Sequence, residues 1–370
     1  MKFKKFLQKF FKKTFQSFFK LIYGKIELKV DLNELKNLSK KKILKIKPDI
    51  HSSRDYYIYK IINGRIYTDN VENVAVISEN YLLDKISYQQ ILGELKSASE
   101  NAVLNKGTSR FKKKYTGRVL SLLQGASGNN YSHWVLEMLP KLRMYSEHYS
   151  LHDLNYVYVP RINSFQKETL SVLGINENQL IDSENFRHVQ ADELFVVDHP
   201  YYYHGTILQQ NKYLPKWTIE WLRETYLNCQ KKFDANKKVF IDRSDSKYKH
   251  NQIINKIDVL NYLKNNNFTS YRLEELSFFE KIYLFNNADI IVGVHGAGFA
   301  NLAFCKPKTK VLEIRPYSYL NTIYERISLI NDLNYNLLQI ENAKENESNN
   351  GDIHLSIETL NTTLQEMLNK

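Results

Sequence analysis

Asp289-Ile290-Ile291-Val292-Gly293-Val294-His295-Gly296-Ala297-Gly298 sets the architecture of the second half of the chain. Ile290, Ile291, Val292 and Val294 form an almost unbroken apolar, β-branched run. Such a run marks a strand buried on both faces, as in a parallel sheet. A Gly-rich turn follows, and then the helical segment 298–305. In open α/β sheets ligands bind beyond the carboxyl ends of the strands. Gly296 and Gly298 are expected to let the backbone approach a ligand closely, and the helix N-terminus offers N–H groups to an anion. A diphosphate is the natural guest, with His295 as a further donor to a phosphate oxygen. The turn matches neither G-x-G-x-x-G nor a P-loop. A plain tight turn capped by His295 stays open as the alternative.

Outward from this segment, strands and helices alternate. Strands are expected at 238–242, 289–294, 310–314 and 336–340, with helices at 252–265, 278–286, 322–333 and 356–368. That alternation implies a parallel sheet with helices on both faces. Upstream, strands are expected at 119–123, 155–159 and 193–197, and helices at 132–148 and 165–173. The Tyr-rich stretch 200–215 lacks periodicity and reads as a connector. Residues 26–120 look β-rich, with strand-like runs at 42–47, 56–67 and 74–81. The chain thus divides into a segment 1–25, an N-terminal domain 26–215 and a C-terminal domain 216–370.

Three further constellations carry chemistry. Arg243 follows the strand 238–242 and can clamp a phosphate bidentately, although a lone Arg is more often a surface residue. In Gly128-Asn129-Asn130-Tyr131-Ser132-His133-Trp134-Val135-Leu136-Glu137, Gly and Asn mark a loop and Ser132 is the expected N-cap. His133 and Glu137 lie four apart on one helix face. A carboxylate that orients an imidazole makes a general-base unit, and a structural His–Glu bond is the plainer alternative. Asn130 and Tyr131 stand beside that pair on the acceptor side. Glu313, near the end of the strand 310–314, is expected to accept two ribose hydroxyls. The sequence holds no D-x-D triplet and no His/Asp/Glu group with metal-ligand spacing, so a metal-independent diphosphate site and no cofactor are expected.

Taken in order, NNYSHWVLEMLPKL (129–142), VFIDRSD (239–245), LEELSFFEKIYLFNNADIIVGVHGAGFANLAF (273–304) and VLEIRP (311–316) resemble the motifs of glycosyltransferase family 61, of the bacterial capsular polysaccharide biosynthesis type. The resemblance spans roughly residues 117–316. It implies a GT-B-like α/β fold, two Rossmann-type domains facing across a cleft, and inverting, metal-independent transfer, with the donor on the C-terminal domain. The donor set is then Arg243, Lys249, His295, Gly296, Ala297, Gly298, Asn301 and Glu313, and the catalytic pair His133 and Glu137. After the strand Arg the family usually carries a second Arg and then Asn-Glu. This chain has Lys249 in the first role and Asn255-Lys256 in the second.

The first 25 residues contain eight of the twelve excess positive charges and no acid. Phe3, Phe6, Leu7, Phe10, Phe11, Phe15, Phe18, Phe19 and Ile22 recur at helical spacing, with Lys on the other face. No apolar run approaches the ~20 residues of a membrane span. A basic amphipathic helix lying on an anionic membrane is therefore expected, with packing on its own protein or on a partner subunit as its rival. The remaining body is only mildly basic, which argues against a nucleic-acid binder. The two cysteines, Cys229 and Cys305, lack metal spacing and suit a reducing compartment. The expected protein is a cytoplasmic enzyme at the inner face of the membrane. Its donor is a nucleotide diphosphate-sugar and its acceptor a lipid-linked or capsular glycan. Nucleotide-sugar epimerase and non-catalytic scaffold are the rival functions.

Overall fold

In the computed structural model, which describes residues 14–46, 55–68, 73–91, 93–123, 130–202, 205–243, 252–341 and 352–369, the chain forms two units, Met1–Tyr213 and Leu214–Lys370. The second unit is built on five parallel strands. Across the sheet they run Thr269–Arg272, Lys238–Asp242, Ile290–Val294, Lys310–Pro316 and Asn334–Ile340. In chain order this is 2-1-3-4-5. The strand order therefore reverses between Lys238–Asp242 and Ile290–Val294, which is where doubly wound sheets bind ligands.

Each residue of Ile290–Val294 is buried, as its apolar run requires. One sheet face packs Phe240, Val292, Val294, Leu312 and Ile314 against the helices Lys256–Asn265 and Ile357–Asn369. The opposite face meets the eight-residue 3-10 helix Ala297–Phe304. A Cβ on Gly293 would come within 3.1 Å of the Phe299 ring there. The helices Lys216–Tyr226, Phe278–Asn287 and Ile323–Ile330 pack on that 3-10 helix.

The first unit departs from a plain Rossmann pattern. Its ten-stranded sheet is mixed. His188–Val197, Lys113–Ser121, Tyr156–Val159 and Leu180–Asp182 run parallel, whereas Tyr57–Ile62 and Arg65–Thr68 pair antiparallel with His188–Val197. Ser121 stands level with Tyr158 and Val196, so the parallel strands share one carboxyl edge. The core includes Tyr59, Ile61, Ile66, Val76, Val119, Leu194 and Val196.

Several local expectations shift. The Lys-rich strand lies at Leu38–Lys42, not 42–47, because alternation is uninformative across the run of three Lys at 40–42. The helix expected from 252 begins at Lys256. Thr269–Arg272, half exposed at the sheet edge, was not anticipated. The helix expected over 132–148 is capped by Asn130, whose side chain accepts from Ser132 N and His133 N. It then passes through a π-helical segment, Trp134–Met138, into Pro140–Ser146. The wide turn shows in Leu139 N bonding to Trp134 O, five residues back. Such π segments are frequent at functional sites.

Of the N-terminal segment, residues 14–23 are helical and 1–13 lie outside the described residues. Phe19 is buried against Tyr23 and Phe111, while Phe15, Phe18 and Ile22 are exposed. No helix among the described residues is long and apolar enough to cross a membrane.

Candidate active site

Two polar clusters sit at strand ends, one in each unit. The first is organised around Glu137, which is nearly fully buried on the π-helical segment. Its Oε1 accepts from His133 Nδ1 at 2.6 Å and from the hydroxyls of Tyr201 and Tyr202, each at 2.8 Å. Its Oε2 accepts from His199 Nε2 at 3.3 Å. Burial would push this carboxyl up, but the charge and hydrogen bond of His133, with the bond from His199, hold it well below the usual carboxylate range. Glu137 is thus an ionised carboxylate with four donors on two oxygens.

The tautomers follow from these bonds. A carboxylate only accepts, so His133 carries a proton on Nδ1, and in its neutral form the ring presents its lone pair at Nε2. His133 stands at the start of the helix and is partly solvent-accessible, 20% against 2% for Glu137. His199 is fixed from both sides. Its Nδ1 accepts from the backbone N–H groups of Tyr201 and Tyr202, at 3.2 and 3.0 Å, so Nε2 must donate to Glu137. Burial pushes its pKa down to about 4, so the ring is neutral at pH 7. The Tyr202 ring stacks on it at 3.6 Å.

Asp198-His199-Pro200-Tyr201-Tyr202 continues directly from the strand His188–Val197. Tyr56 and Tyr57 anchor its start. Tyr56 donates to Pro200 O at 2.7 Å, and Tyr57 N donates to Asp198 Oδ2 at 2.9 Å. Lys141, fully buried one turn beyond Glu137, donates to Leu122 O at 3.3 Å. Burial pushes its ammonium well below the ordinary range, partly opposed by Glu137 and Asp198. None of His199, Tyr201, Tyr202 or Lys141 was singled out from sequence. For His199, Tyr201 and Tyr202 the available signal was their place just after a strand, at the same carboxyl edge as the strand that precedes His133; Lys141 lies on the helix Pro140–Ser146. Asn130 serves as the helix cap, and Tyr131 packs edge-on against Phe165 at 5.3 Å.

The second cluster lies at the switch point of the parallel sheet. Arg243 follows one central strand and His295 the other, and Arg243 Nη1 donates to His295 O. Gly296 has an extended φ that any residue adopts. Its value is space, because a Cβ there would stand 2.7 Å from Arg243 Nε. At Gly298 a Cβ would stand 2.5 Å from Leu273 Cδ1. Both glycines therefore make room for the protein's own side chains. Asn301 is fully buried and donates to Gly298 O at 2.8 Å, bracing the turn that opens with Ala297. Lys249 lies outside the described residues.

Glu313 does not face a ribose. It is fully buried, with one oxygen bonded to His295 Nδ1 and the other accepting from Tyr335 at 2.5 Å. Burial pushes the His295 pKa down, opposed by Glu313. With Nδ1–H committed to Glu313, a neutral His295 presents an acceptor at Nε2. That suits a hydroxyl rather than the phosphate oxygen expected from sequence. The positive charge comes instead from Arg243 and Arg315. Among the described residues no carboxylate forms an ion pair with either, and the buried Arg315 Nε has no hydrogen-bond partner. Burial lowers the Arg243 pKa, but a guanidinium remains charged. Asp242, immediately before Arg243, is neutralised by Lys256 at 3.0 Å and lies 3.8 Å from Arg272. The departure at position 256 thus has a local use: the lysine cancels a buried carboxylate behind the candidate anion site.

The comparisons address the same stretch. The family model described as Glycosyltransferase 61 matches residues 131–312, from the helix that carries His133 to the strand that carries Glu313. A search of curated proteins found no match. With that match laid over the π-helical segment, the strand end at Arg243 and the His295 turn, the chain carries a glycosyltransferase family 61 domain over residues 131–312, which supports a glycosyltransferase.

Proposed function

We propose that the chain is an inverting, metal-independent glycosyltransferase that moves a sugar from a nucleotide diphosphate-sugar to a hydroxyl of a lipid-linked or capsular glycan. The observation that carries this reading is the His133–Glu137 pair, a histidine whose Nδ1 is held by a buried carboxylate with three further donors. In the reaction the acceptor hydroxyl gives its proton to His133 Nε2 while its oxygen bonds to the anomeric carbon. The bond from that carbon to the diphosphate breaks on the opposite face, and configuration inverts. Glu137 stabilises the imidazolium that forms. Glu137 itself is a poor candidate for the base, because its lone pairs are already committed.

Arg243, supported by Arg315, meets the charge of the departing diphosphate. His295 accepts a hydroxyl of the donor, oriented through Glu313 and Tyr335. In this reading the two units are GT-B-like partners, one serving the acceptor and the other the donor. Residues Met1–Lys25 hold the enzyme at the anionic inner face of the cell membrane.

Titration calorimetry of nucleoside diphosphates and their sugars, followed by transfer assays with the tightest binder, tests the reading. Binding is expected to be the same with and without EDTA, since among the described residues no group of three His, Cys, Asp or Glu is placed to hold a metal ion. A requirement for Mg²⁺ in the binding step would remove the metal-independent part. Arg243→Ala is expected to weaken diphosphate binding roughly tenfold to a hundredfold, the loss of one charge-assisted contact of about 1.5–3 kcal/mol. Unchanged affinity in that variant would move the donor away from the switch point.

A further inference from the structure

Apart from both clusters, one surface of the first unit combines exposed rings with cations that form no ion pair among the described residues. Phe111 lies in the loop between the short helix Ala102–Lys106 and the strand Lys113–Ser121, and is 74% exposed. Its ring meets Phe19 edge-on at 5.0 Å, and Phe19 meets Phe18 edge-on at 5.3 Å. A row of touching rings therefore runs from the loop to the helix 14–23. On that helix Phe15, Phe18 and Ile22 are spaced to share one face and are all exposed. The loop is tied to the helix, because Lys112 N donates to the Tyr23 hydroxyl at 3.0 Å.

Cations surround these rings. Arg110, Lys112, Lys113 and Lys114 flank Phe111, and Lys20 lies alongside Gly107. Residues 105–118 contain no acid. Lys113 turns toward the Phe186 ring, 3.9 Å away, which leaves Arg110, Lys112, Lys114 and Lys20 around the row. Burial pushes the Lys112 ammonium down, and repulsion from Arg65 and Lys114 lowers it further. An anionic surface would relieve that repulsion.

We propose that the loop 107–114 and the helix 14–23 form one face that docks on an anionic bilayer, with Phe111 as the inserted side chain. This rests on the membrane part of the function proposed above, and extends it to a folded surface that does not depend on residues 1–13. A bilayer accounts for both halves of the face: lipid phosphates take the cations and the acyl boundary takes the rings. A nucleic acid would take the cations and leave Phe15, Phe18, Ile22 and Phe111 in water.

Co-sedimentation of the full chain with phosphatidylcholine vesicles, with and without phosphatidylglycerol, tests this. The wild type is expected to pellet only with the anionic vesicles. Phe111→Ser and the double variant Arg110→Glu/Lys114→Glu are each expected to weaken that binding roughly tenfold, with thermal midpoint and sugar transfer to a soluble acceptor unchanged. In the Phe111→Trp variant the added indole is expected to shift its emission to the blue on anionic vesicles. If the loop variants bind as well as wild type and the emission of the Phe111→Trp variant does not move, the proposal is overturned and residues 1–13 are left as the anchor. If the wild type ignores vesicles but still transfers sugar, both the docking face and the membrane reading fall while the transferase stands. Loss of duplex-DNA binding in the charge variants, without any vesicle binding, would also overturn it.

Discussion

His133→Ala is expected to lower turnover by about 10²–10⁴-fold, the usual contribution of a general base and roughly 2.7–5.4 kcal/mol of barrier. Donor affinity should barely change, because Arg243, Arg315 and His295 belong to the other unit. The effect falls on kcat and kcat/KM together, the pattern for a group whose contribution is confined to the transition state. The variant should fold normally. His133 is at the first turn of its helix and partly exposed, and the Asn130 cap contacts its backbone rather than its ring. Removing the imidazole also frees one acceptor site on Glu137, which water can fill at that rim. The acid limb of the rate profile, where protonation disables the base, should vanish with the side chain. Turnover within a few-fold of wild type would sink the assignment.

How much of this was legible depended on what each segment does with its polar groups. The strands Lys238–Asp242 and Ile290–Val294 stand out in the sequence because apolar burial on both faces leaves an unbroken run. The four-residue spacing of His133 and Glu137 was legible for the same kind of reason, one helix face being a simple period. The segment 198–202 was not. It is buried by satisfying polar atoms on Glu137 and on its own backbone, and no periodicity accompanies that. Glu313 misled differently. Its place near a strand end suggested a ligand-facing carboxylate, but the strand runs on to Pro316 and Glu313 sits inside the sheet. The glycines of the His295 turn were expected to let a ligand approach the backbone. What approaches at Gly296 is Arg243, a residue too distant in sequence for the turn alone to reveal.

Glu137→Ala should be among the most damaging substitutions in the chain, because each buried donor it leaves unsatisfied costs about 1–3 kcal/mol. The carboxylate is the common acceptor for His133, His199, Tyr201 and Tyr202, and all but His133 are fully buried. Glu137→Gln should cost less than Glu137→Ala. Its amide nitrogen must face either His199 Nε2–H or the three donors on the other oxygen. His199 cannot switch tautomer, because its Nδ1 already accepts two backbone N–H groups. The Gln oxygen must therefore face His199, and its amide can donate to the Tyr201 and Tyr202 hydroxyls or to His133 Nδ1, each of which can accept. The pH dependence has a definite sign. A carboxyl depressed in the folded state contributes fully above its ordinary value of 4.5 and loses that contribution as pH falls toward the folded value. The stability gap between wild type and Glu137→Ala should hold from neutral pH down to that point, then narrow by about 1.4 kcal/mol per pH unit. Urea titration read by Trp134, in a background with Trp217 and Trp221 replaced by Phe, isolates the unit concerned. A gap below about 0.5 kcal/mol at neutral pH, the range of ordinary surface substitutions, would mean that Glu137 does not hold these four groups together.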